Sequence, residues 1–216
     1  MQSKTMAHIL RYKVVAIMRK VDPARSLNAA KALFDGGIRI LEITFDQNNP
    51  DCLTITSHMI KQIADHFGDK MCVGAGTVMT AEQARAAVGA GARFVLAPNV
   101  NADVIRTACD LGAVAVPGAL SPTEIATAYE LGAKVVKLFP AGDLGAGYMK
   151  ALRGPLGHIP LMAVGGVDEN NMQRFFDAGA CSVGIGSNVV KNSLIDQGEF
   201  AQITKLAERY TQQIKL

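Results

Sequence analysis

Two charged residues interrupt apolar stretches of this sequence, and the first of them is Lys137. It lies within Lys134-Val-Val-Lys-Leu-Phe-Pro140, a β-branched run that predicts a buried strand ending at the proline. Lys134 stands at the strand entrance, where an ammonium reaches water, whereas Lys137 falls just before the carboxyl end. Ionisable residues are almost never fully buried unless they are paired or used. Burial lowers the pKa of an amine, and the neutral form can then attack a ketone to give a Schiff base at about pH 7.

The second residue is Glu42, within the apolar run Ile40-Leu-Glu-Ile-Thr44. Alternation along a strand places Glu42 on the same face as Ile40 and Thr44. If this face and the face of Lys137 both point inward, an amine and a carboxylate meet in one dry pocket. The carboxylate can then move the protons that carbinolamine formation, dehydration and carbon–carbon cleavage each require. The alternative is a structural salt bridge that braces the fold.

Glycine-rich segments end the last two predicted strands. They are Val164-Gly-Gly-Val-Asp168 and Val183-Gly-Ile-Gly-Ser-Asn188, and a predicted short helix follows the second. Backbone N–H groups beside a helix N-terminus favour a phosphate, although glycine also relieves crowding at tight strand ends. Two earlier strands end with a hydroxyl at Thr77 and with a guanidinium at Arg19 that suits a substrate carboxylate.

A repeat organises the elements that must position these side chains. Helix-closing glycines recur at intervals of 20 to 31 residues, the length of one strand, one helix and two short loops. They are Gly37, Gly68, Gly91, Gly112, Gly132, Gly157 and Gly179. The strands predicted around them are Val14–Arg19, Arg39–Phe45, Met71–Val78, Arg93–Pro98, Val114–Gly118, Lys134–Pro140, Leu161–Gly166 and Ser182–Ser187.

Eight apolar strands that alternate with helices predict an α/β protein with a closed parallel (β/α)8 TIM barrel. An amphipathic segment after the first strand illustrates the helices, with Asp22 as N-cap and Pro23 at the first helical position. No linker or low-complexity segment divides the chain, so we expect a single domain over residues 1–216. An open doubly wound sheet is the alternative. In such barrels, chemistry takes place at the carboxyl ends of the strands.

Composition and charge exclude several classes of function. The chain has 216 residues with 49% hydrophobic content, enough for one sizeable core. A net charge of +3 with scattered basic residues argues against nucleic acid as a partner. The apolar run Val14–Met18 is too short for a signal or membrane segment. The histidines form no HxH or HExxH group, which argues against a metal site built from histidines. Four separated cysteines without a CxxC pair indicate reduced thiols of a cytoplasmic protein: Cys52, Cys72, Cys109 and Cys181.

The motifs together resemble the 2-keto-3-deoxy-6-phosphogluconate (KDPG) / 4-hydroxy-2-oxoglutarate (KHG) aldolase family of class I, Schiff-base aldolases. They occur in family order over almost the whole chain, and the combination is highly specific. The matching segments are Val15-Ala-Ile-Met-Arg19, Leu41-Glu-Ile-Thr44, Gly74-Ala-Gly-Thr-Val78, Ala97-Pro-Asn99, Val116-Pro-Gly118, Lys137-Leu-Phe-Pro-Ala141, Val164-Gly-Gly166 and Gly184-Ile-Gly-Ser187.

The resemblance implies a lyase that cleaves a 2-keto-3-deoxy-6-phospho sugar acid to pyruvate and glyceraldehyde 3-phosphate. It implies that Lys137 forms the Schiff base and that Glu42 moves protons. It also implies a small keto-acid substrate, no metal or other cofactor, and a homotrimer. Further residues are implied to hold the pyruvyl end, wall the pocket and bind the phosphate: Arg19, Thr77, Phe139, Gly165, Gly166, Gly186 and Ser187.

The sequence departs from the gluconate-type members of the family at two places. Asp46 stands where those members have a substrate-contacting arginine, and Val164 stands where they tend to have a hydroxyl residue. Galactonate-type members resemble this chain at both places. Because Asp46 repels a second acidic group, we rank a sugar-derived keto acid above hydroxyoxoglutarate. The alternatives are a KHG aldolase, an oxaloacetate decarboxylase that uses the same imine, and a sugar-phosphate binding barrel without activity.

Overall fold

The protein is a single parallel α/β barrel, which confirms the predicted fold class. The structure, a computed structural model, describes residues 2–214, so residues 1 and 216 at the predicted domain bounds lie outside the described residues. Nine strands form one sheet in the order β5-β4-β3-β2-β1-β9-β8-β7-β6, and all of the recorded pairs are parallel. The strands are β1 (Val14–Met18), β2 (Ile40–Thr44), β3 (Cys72–Gly76), β4 (Phe94–Leu96), β5 (Val114–Val116), β6 (Gly118–Ala119), β7 (Val136–Leu138), β8 (Leu161–Val164) and β9 (Ser182–Ile185).

Helices precede, connect and follow the strands. They are α1 (Gln2–Tyr12), α2 (Pro23–Asp35), α3 (Cys52–Phe67), α4 (Ala81–Gly89), α5 (Ala102–Asp110), α6 (Pro122–Glu130), α7 (Ala141–Arg153), α8 (Met172–Asp177), α9 (Asn192–Asp196) and α10 (Phe200–Thr211), with a 3-10 turn at Gly68–Lys70. As predicted, α2 starts with Pro23 after the cap Asp22, whose Oδ1 accepts a hydrogen bond from Ala24 N at 2.9 Å. The glycines that close the repeats have positive φ, for example 110° at Gly132, but Gly157 is not among them.

The barrel closes through the segment 114–119, where the prediction of one continuous strand is wrong. Strand β5 pairs with β4 and strand β6 pairs with β7, so this single segment joins both edges of the sheet. Pro117 separates the two strands because it has no N–H to donate. Its carbonyl still accepts from Lys137 N at 2.9 Å. The barrel is therefore built from eight extended segments, one of which is broken at the proline.

Two apolar clusters hold the barrel together, one outside the sheet and one inside it. The outer cluster packs the helices on the sheet, and the inner one fills the barrel with inward side chains such as Val15, Ile40 and Val135. Helix α1 was not predicted, and its Ile9 is fully buried in the inner cluster. Since α1 also contacts β2, β5 and β9, it covers one end of the barrel. That end lies at the start of the strands, opposite their carboxyl ends.

Several strands end earlier than predicted, and the residues that therefore lie beyond the strand ends include three with predicted site roles. Arg19 follows β1, Thr77 follows β3 and Phe139 follows β7. Thr77 has a φ of 54°, which is uncommon for a β-branched residue and ends the strand geometry there. The predicted rim residues thus stand on the first loop positions after the strands.

Candidate active site

Lys137 and Glu42 both point into the barrel, as the alternation predicts. Each lies two residues beyond a residue of the inner cluster, Lys137 after Val135 and Glu42 after Ile40. The exposed fraction is 5% for Lys137 and 1% for Glu42, whereas Lys134 is exposed. An amine and a carboxylate are therefore enclosed within one barrel interior.

Burial dominates the electrostatics of both groups. It lowers the pKa of Lys137; Glu42 works against this shift, and the positive charge of Arg19 adds to it. Burial also raises the pKa of Glu42, against the opposing effect of Lys137 and Arg19. Each group is thus shifted toward its neutral form, which is what a nucleophilic amine requires.

The two side chains do not form the salt bridge that the structural alternative requires. Glu42 Oε2 is buried and has no hydrogen-bond partner among the described residues. The ion pairs found within residues 2–214 also do not include Lys137 or Glu42. An unpartnered buried carboxylate oxygen destabilises a fold, which argues against a bracing role for Glu42.

Gly76 on the neighbouring strand β3 makes room for the carboxylate. A Cβ atom built on Gly76 would overlap Oε1 of Glu42, and one built on Gly74 would overlap the ring of Phe94. The glycines of this motif therefore serve side-chain packing, and Gly76 is a positioning residue that the sequence alone did not single out.

A cavity of about 480 Å³ opens beside Lys137 at the carboxyl ends of the strands. Seven of the nine predicted site residues line it: Arg19, Lys137, Phe139, Gly165, Gly166, Gly186 and Ser187. Lys137 Nζ lies 4.5 Å from the centroid of the Phe139 ring, which forms part of the cavity wall. The cavity is large enough for a small organic ligand.

Backbone groups form the cavity wall at the ends of β8 and β9. Gly165 and Gly166 have φ values of 87° and 70°, a conformation that residues with a side chain rarely adopt. The carbonyl of Gly165 accepts from Gly142 N at 2.6 Å, and that of Gly166 accepts from Asn171 Nδ2 at 2.8 Å. With the carbonyls held in this way, the segment can present N–H groups to an anion.

Thr77 and Glu42 are the predicted site residues that do not line this cavity. Thr77 is half-buried, and its carbonyl accepts from Gln47 Nε2 at 2.7 Å. Gln47 in turn accepts from Gln83 Nε2 at 3.0 Å. This chain of hydrogen bonds supports the unusual backbone of Thr77 from outside the barrel.

A family model described as "Aldolase: KDPG and KHG aldolase" matches residues 6–206, which is nearly the whole chain. The chain belongs to the KDPG and KHG aldolase family. One curated relative is the 2-dehydro-3-deoxy-6-phosphogalactonate aldolase of Escherichia coli K12, which is 36% identical to this chain. The alignment covers 82% of this chain and 84% of the relative. The 2-dehydro-3-deoxy-phosphogluconate aldolase of Treponema pallidum is also 36% identical, over 92% and 90%. These relatives are aldolases and hence lyases, which confirms the predicted enzyme class.

A solved structure gives the chemistry of one neighbour of this family member. The KDPG aldolase of Legionella pneumophila, solved with pyruvate captured as a covalent carbinolamine intermediate, is 27% identical and superposes with a TM-score of 0.83. The alignment covers 94% of this chain and 96% of the neighbour. A carbinolamine is the adduct that precedes a Schiff base.

Sequence reasoning missed Lys20 and Asn192 in the cavity wall of this family member. Asn192 Nδ2 donates to the carbonyls of Arg19 and Lys20, at 3.1 Å in each case. Lys20 has a φ of 53° and its Nζ lies 3.7 Å from Asp46 Oδ2. Asp46, the departure noted in the sequence, lines a neighbouring cavity instead. Among the described residues, it is the ion pair with Lys20, which no local pattern indicates, that connects Asp46 to the site.

No metal site or membrane span is found in the residues that the structure describes. No group of three or more His, Cys, Asp or Glu residues is placed to hold a metal ion. None of the helices combines the length and the apolar character needed to cross a bilayer. The four cysteines are free thiols.

Proposed function

We propose that this chain is a class I aldolase that cleaves a 2-keto-3-deoxy-6-phospho sugar acid to pyruvate and glyceraldehyde 3-phosphate through a Schiff base on Lys137. The observation that supports this most directly is the buried amine beside a ligand-sized cavity, with a buried carboxylate that has no structural partner at Oε2. The carbinolamine of the Legionella neighbour supports the same chemistry.

In the proposed mechanism, neutral Lys137 attacks the C2 keto carbon to give a carbinolamine. Glu42, whose neutral form burial favours, gives its proton to the departing hydroxyl, which leaves as water, so that a protonated imine and a Glu42 carboxylate remain. Glu42, directly or through a water molecule, takes the proton of the C4 hydroxyl. The C3–C4 bond then breaks, the aldehyde leaves, and the iminium accepts the bonding electrons to become an enamine. Protonation of the enamine and hydrolysis release pyruvate and regenerate the amine.

The walls of the cavity suit the two ends of such a substrate. Arg19 supplies a guanidinium for the pyruvyl carboxylate, and Thr77 is proposed to help at this end. Phe139 gives an apolar wall beside the imine. The phosphate is assigned to the backbone around Gly165, Gly166, Gly186 and Ser187, because that segment can present N–H groups.

The substrate is proposed to be of gluconate or galactonate type. Identity does not separate the two, since one relative of each type is 36% identical to this chain. Val164 is apolar and buried beside the cavity, as in the galactonate-type pattern noted in the sequence. A coupled assay of pyruvate release from both epimers, each with and without phosphate, decides the substrate. A homotrimer is a further expectation that rests on the resemblance alone, and a cytoplasmic location is one that rests on the four separated cysteines.

The mechanism is tested by treating the protein with pyruvate and borohydride and locating the adduct by peptide mass spectrometry. We expect a reduced pyruvyl group on Lys137, because burial lowers the pKa of this amine and favours its nucleophilic neutral form. Lys134, exposed on the same segment, is the internal reference and should stay unmodified. The Lys137→Met variant should give no adduct and lose at least about 10,000-fold in kcat. An unmodified Lys137 in the wild-type protein contradicts the proposal.

A further inference from the structure

Lys20 lies next to Arg19 in the sequence and adds a further cationic side chain to the candidate active site. It contributes to the wall of the main cavity and also to a neighbouring cavity of about 370 Å³. The charged residues that line the main cavity are Arg19, Lys20 and Lys137, and none of its described lining residues is acidic. A cavity with this charge attracts an anionic ligand.

The backbone of Lys20 does not explain why a lysine stands there. Its φ of 53° lies in the left-handed region, which glycine adopts without penalty and asparagine more readily than other residues. The side-chain amide of Asn192 holds this turn by donating to the carbonyls of residues 19 and 20. Non-glycine residues in strained conformations cluster at ligand sites. The side chain of Lys20, rather than its backbone, is therefore the reason to expect a function at this position.

The only ion-pair partner of Lys20 within residues 2–214 is Asp46, and their contact is loose. Nζ and Oδ2 are 3.7 Å apart, and the two side chains are 60% and 34% exposed. Solvent-exposed pairs of this kind contribute little to stability. The ammonium can therefore exchange Asp46 for a ligand that carries more negative charge.

We propose that Lys20 binds the phosphate group of the substrate and thereby sets the preference for a phosphorylated over an unphosphorylated keto acid. Asp46 holds the ammonium at the rim while the cavity is empty. A phosphate monoester carries about two negative charges and displaces the single charge of Asp46. This inference rests on the proposed function, and it adds a side-chain ligand to a phosphate site otherwise assigned to backbone groups.

The test compares kcat/KM for the phosphorylated and unphosphorylated forms of one 2-keto-3-deoxy acid. Lys20→Gly fits the left-handed backbone and should fold at least as well as the wild-type protein, as judged by its thermal midpoint. We expect it to lower the ratio of phosphorylated to unphosphorylated kcat/KM by roughly tenfold, mainly through KM. Lys20→Arg should keep most of the ratio because it keeps the charge.

Asp46→Asn is the matched control, because it breaks the same ion pair and leaves the ammonium in place. It should keep or raise the ratio, since Lys20 then has no competing partner. If Lys20→Gly and Asp46→Asn shift the ratio alike, or if Lys20→Gly does not change it, the inference is wrong.

Binding of inorganic phosphate, measured by titration calorimetry, separates this inference from the proposed reaction. We expect roughly tenfold weaker binding to Lys20→Gly than to the wild-type protein. Equal affinity would refute the role of Lys20 even if Lys137 is trapped by pyruvate. Conversely, weaker binding with no trapping would leave Lys20 as an anion ligand and refute the aldolase proposal.

Discussion

The two ends of the barrel interior share the same strands but differ in chemistry. At the amino-terminal end, Ile40 and Val135 are fully buried and Ile9 of helix α1 covers them. Two residues further along the same two chain segments lie Glu42 and Lys137, which are also buried but ionisable. The inward-facing side chains therefore form an apolar layer at the amino-terminal end, called the floor below, and a pair of ionisable groups in the next layer.

This difference indicates that the apolar floor supports the reactivity of Lys137 and Glu42 as well as the stability of the fold. Desolvation is the largest cause of both pKa shifts, and it requires apolar neighbours that exclude water. The outer face of the closed end is different again, since Asp69 pairs there with Lys4 and Arg93. The Lys4 pair is largely exposed and contributes little to stability.

Among the changes that separate the two ends of the barrel interior, removing the carboxylate of Glu42 should have the largest effect, and this effect is on kcat. Glu42→Gln keeps the size of the side chain but cannot accept a proton, so we expect kcat for cleavage to fall by roughly 100- to 10,000-fold. Pyruvate and borohydride should still modify Lys137 in this variant, because the amine remains. Steady-state kinetics and the trapping reaction measure the two effects separately, and near wild-type cleavage would show that Glu42 is not the base.

Removing an apolar side chain from the floor should lower the stability of the protein and leave its kcat nearly unchanged. Ile9→Ala leaves a cavity in the inner cluster, and we expect it to lower the free energy of unfolding by about 2 to 5 kcal/mol. Its kcat should stay within a few-fold of the wild-type value at temperatures where the variant is folded, because Ile40 and Val135 remain next to the reactive pair and still keep water away from it. Urea unfolding and kinetics at low temperature check both statements. A stable variant would mean that α1 is not an essential cover.

The contrast also explains what the sequence could and could not predict. Strand alternation and the glycine repeat predicted the barrel and the inward faces of Lys137 and Glu42, because both depend on local periodicity. The break at Pro117, the cover by α1 and the pairing of Lys20 with Asp46 depend on contacts between distant segments. No pattern within a short window encodes such contacts. The room that Gly76 leaves for Glu42 was likewise visible only once β2 and β3 were paired.

Removing both ionisable groups should have the smallest effect on the free energy of unfolding, and the sign of that effect distinguishes a reactive pair from a structural one. The double variant Lys137→Met/Glu42→Leu leaves neither a buried charge nor an unpartnered buried polar group, so we expect it to be inactive but more stable by about 1 to 4 kcal/mol. Thermal and urea unfolding measure this gain. A double variant that is less stable than the wild-type protein would show that the pair braces the barrel, which is the structural alternative.

The pH dependence of that gain follows from the two pKa shifts. Because the pKa of Glu42 is raised above 4.5 in the folded protein, burying it destabilises the wild type increasingly as the pH rises above 4.5. Because the pKa of Lys137 is lowered below 10.5, its cost is full at low pH and disappears as the pH approaches 10.5. The advantage of the double variant should therefore grow above pH 4.5 and shrink toward pH 10.5. Unfolding curves across this range that show a constant advantage would mean that neither charge is desolvated in the folded barrel.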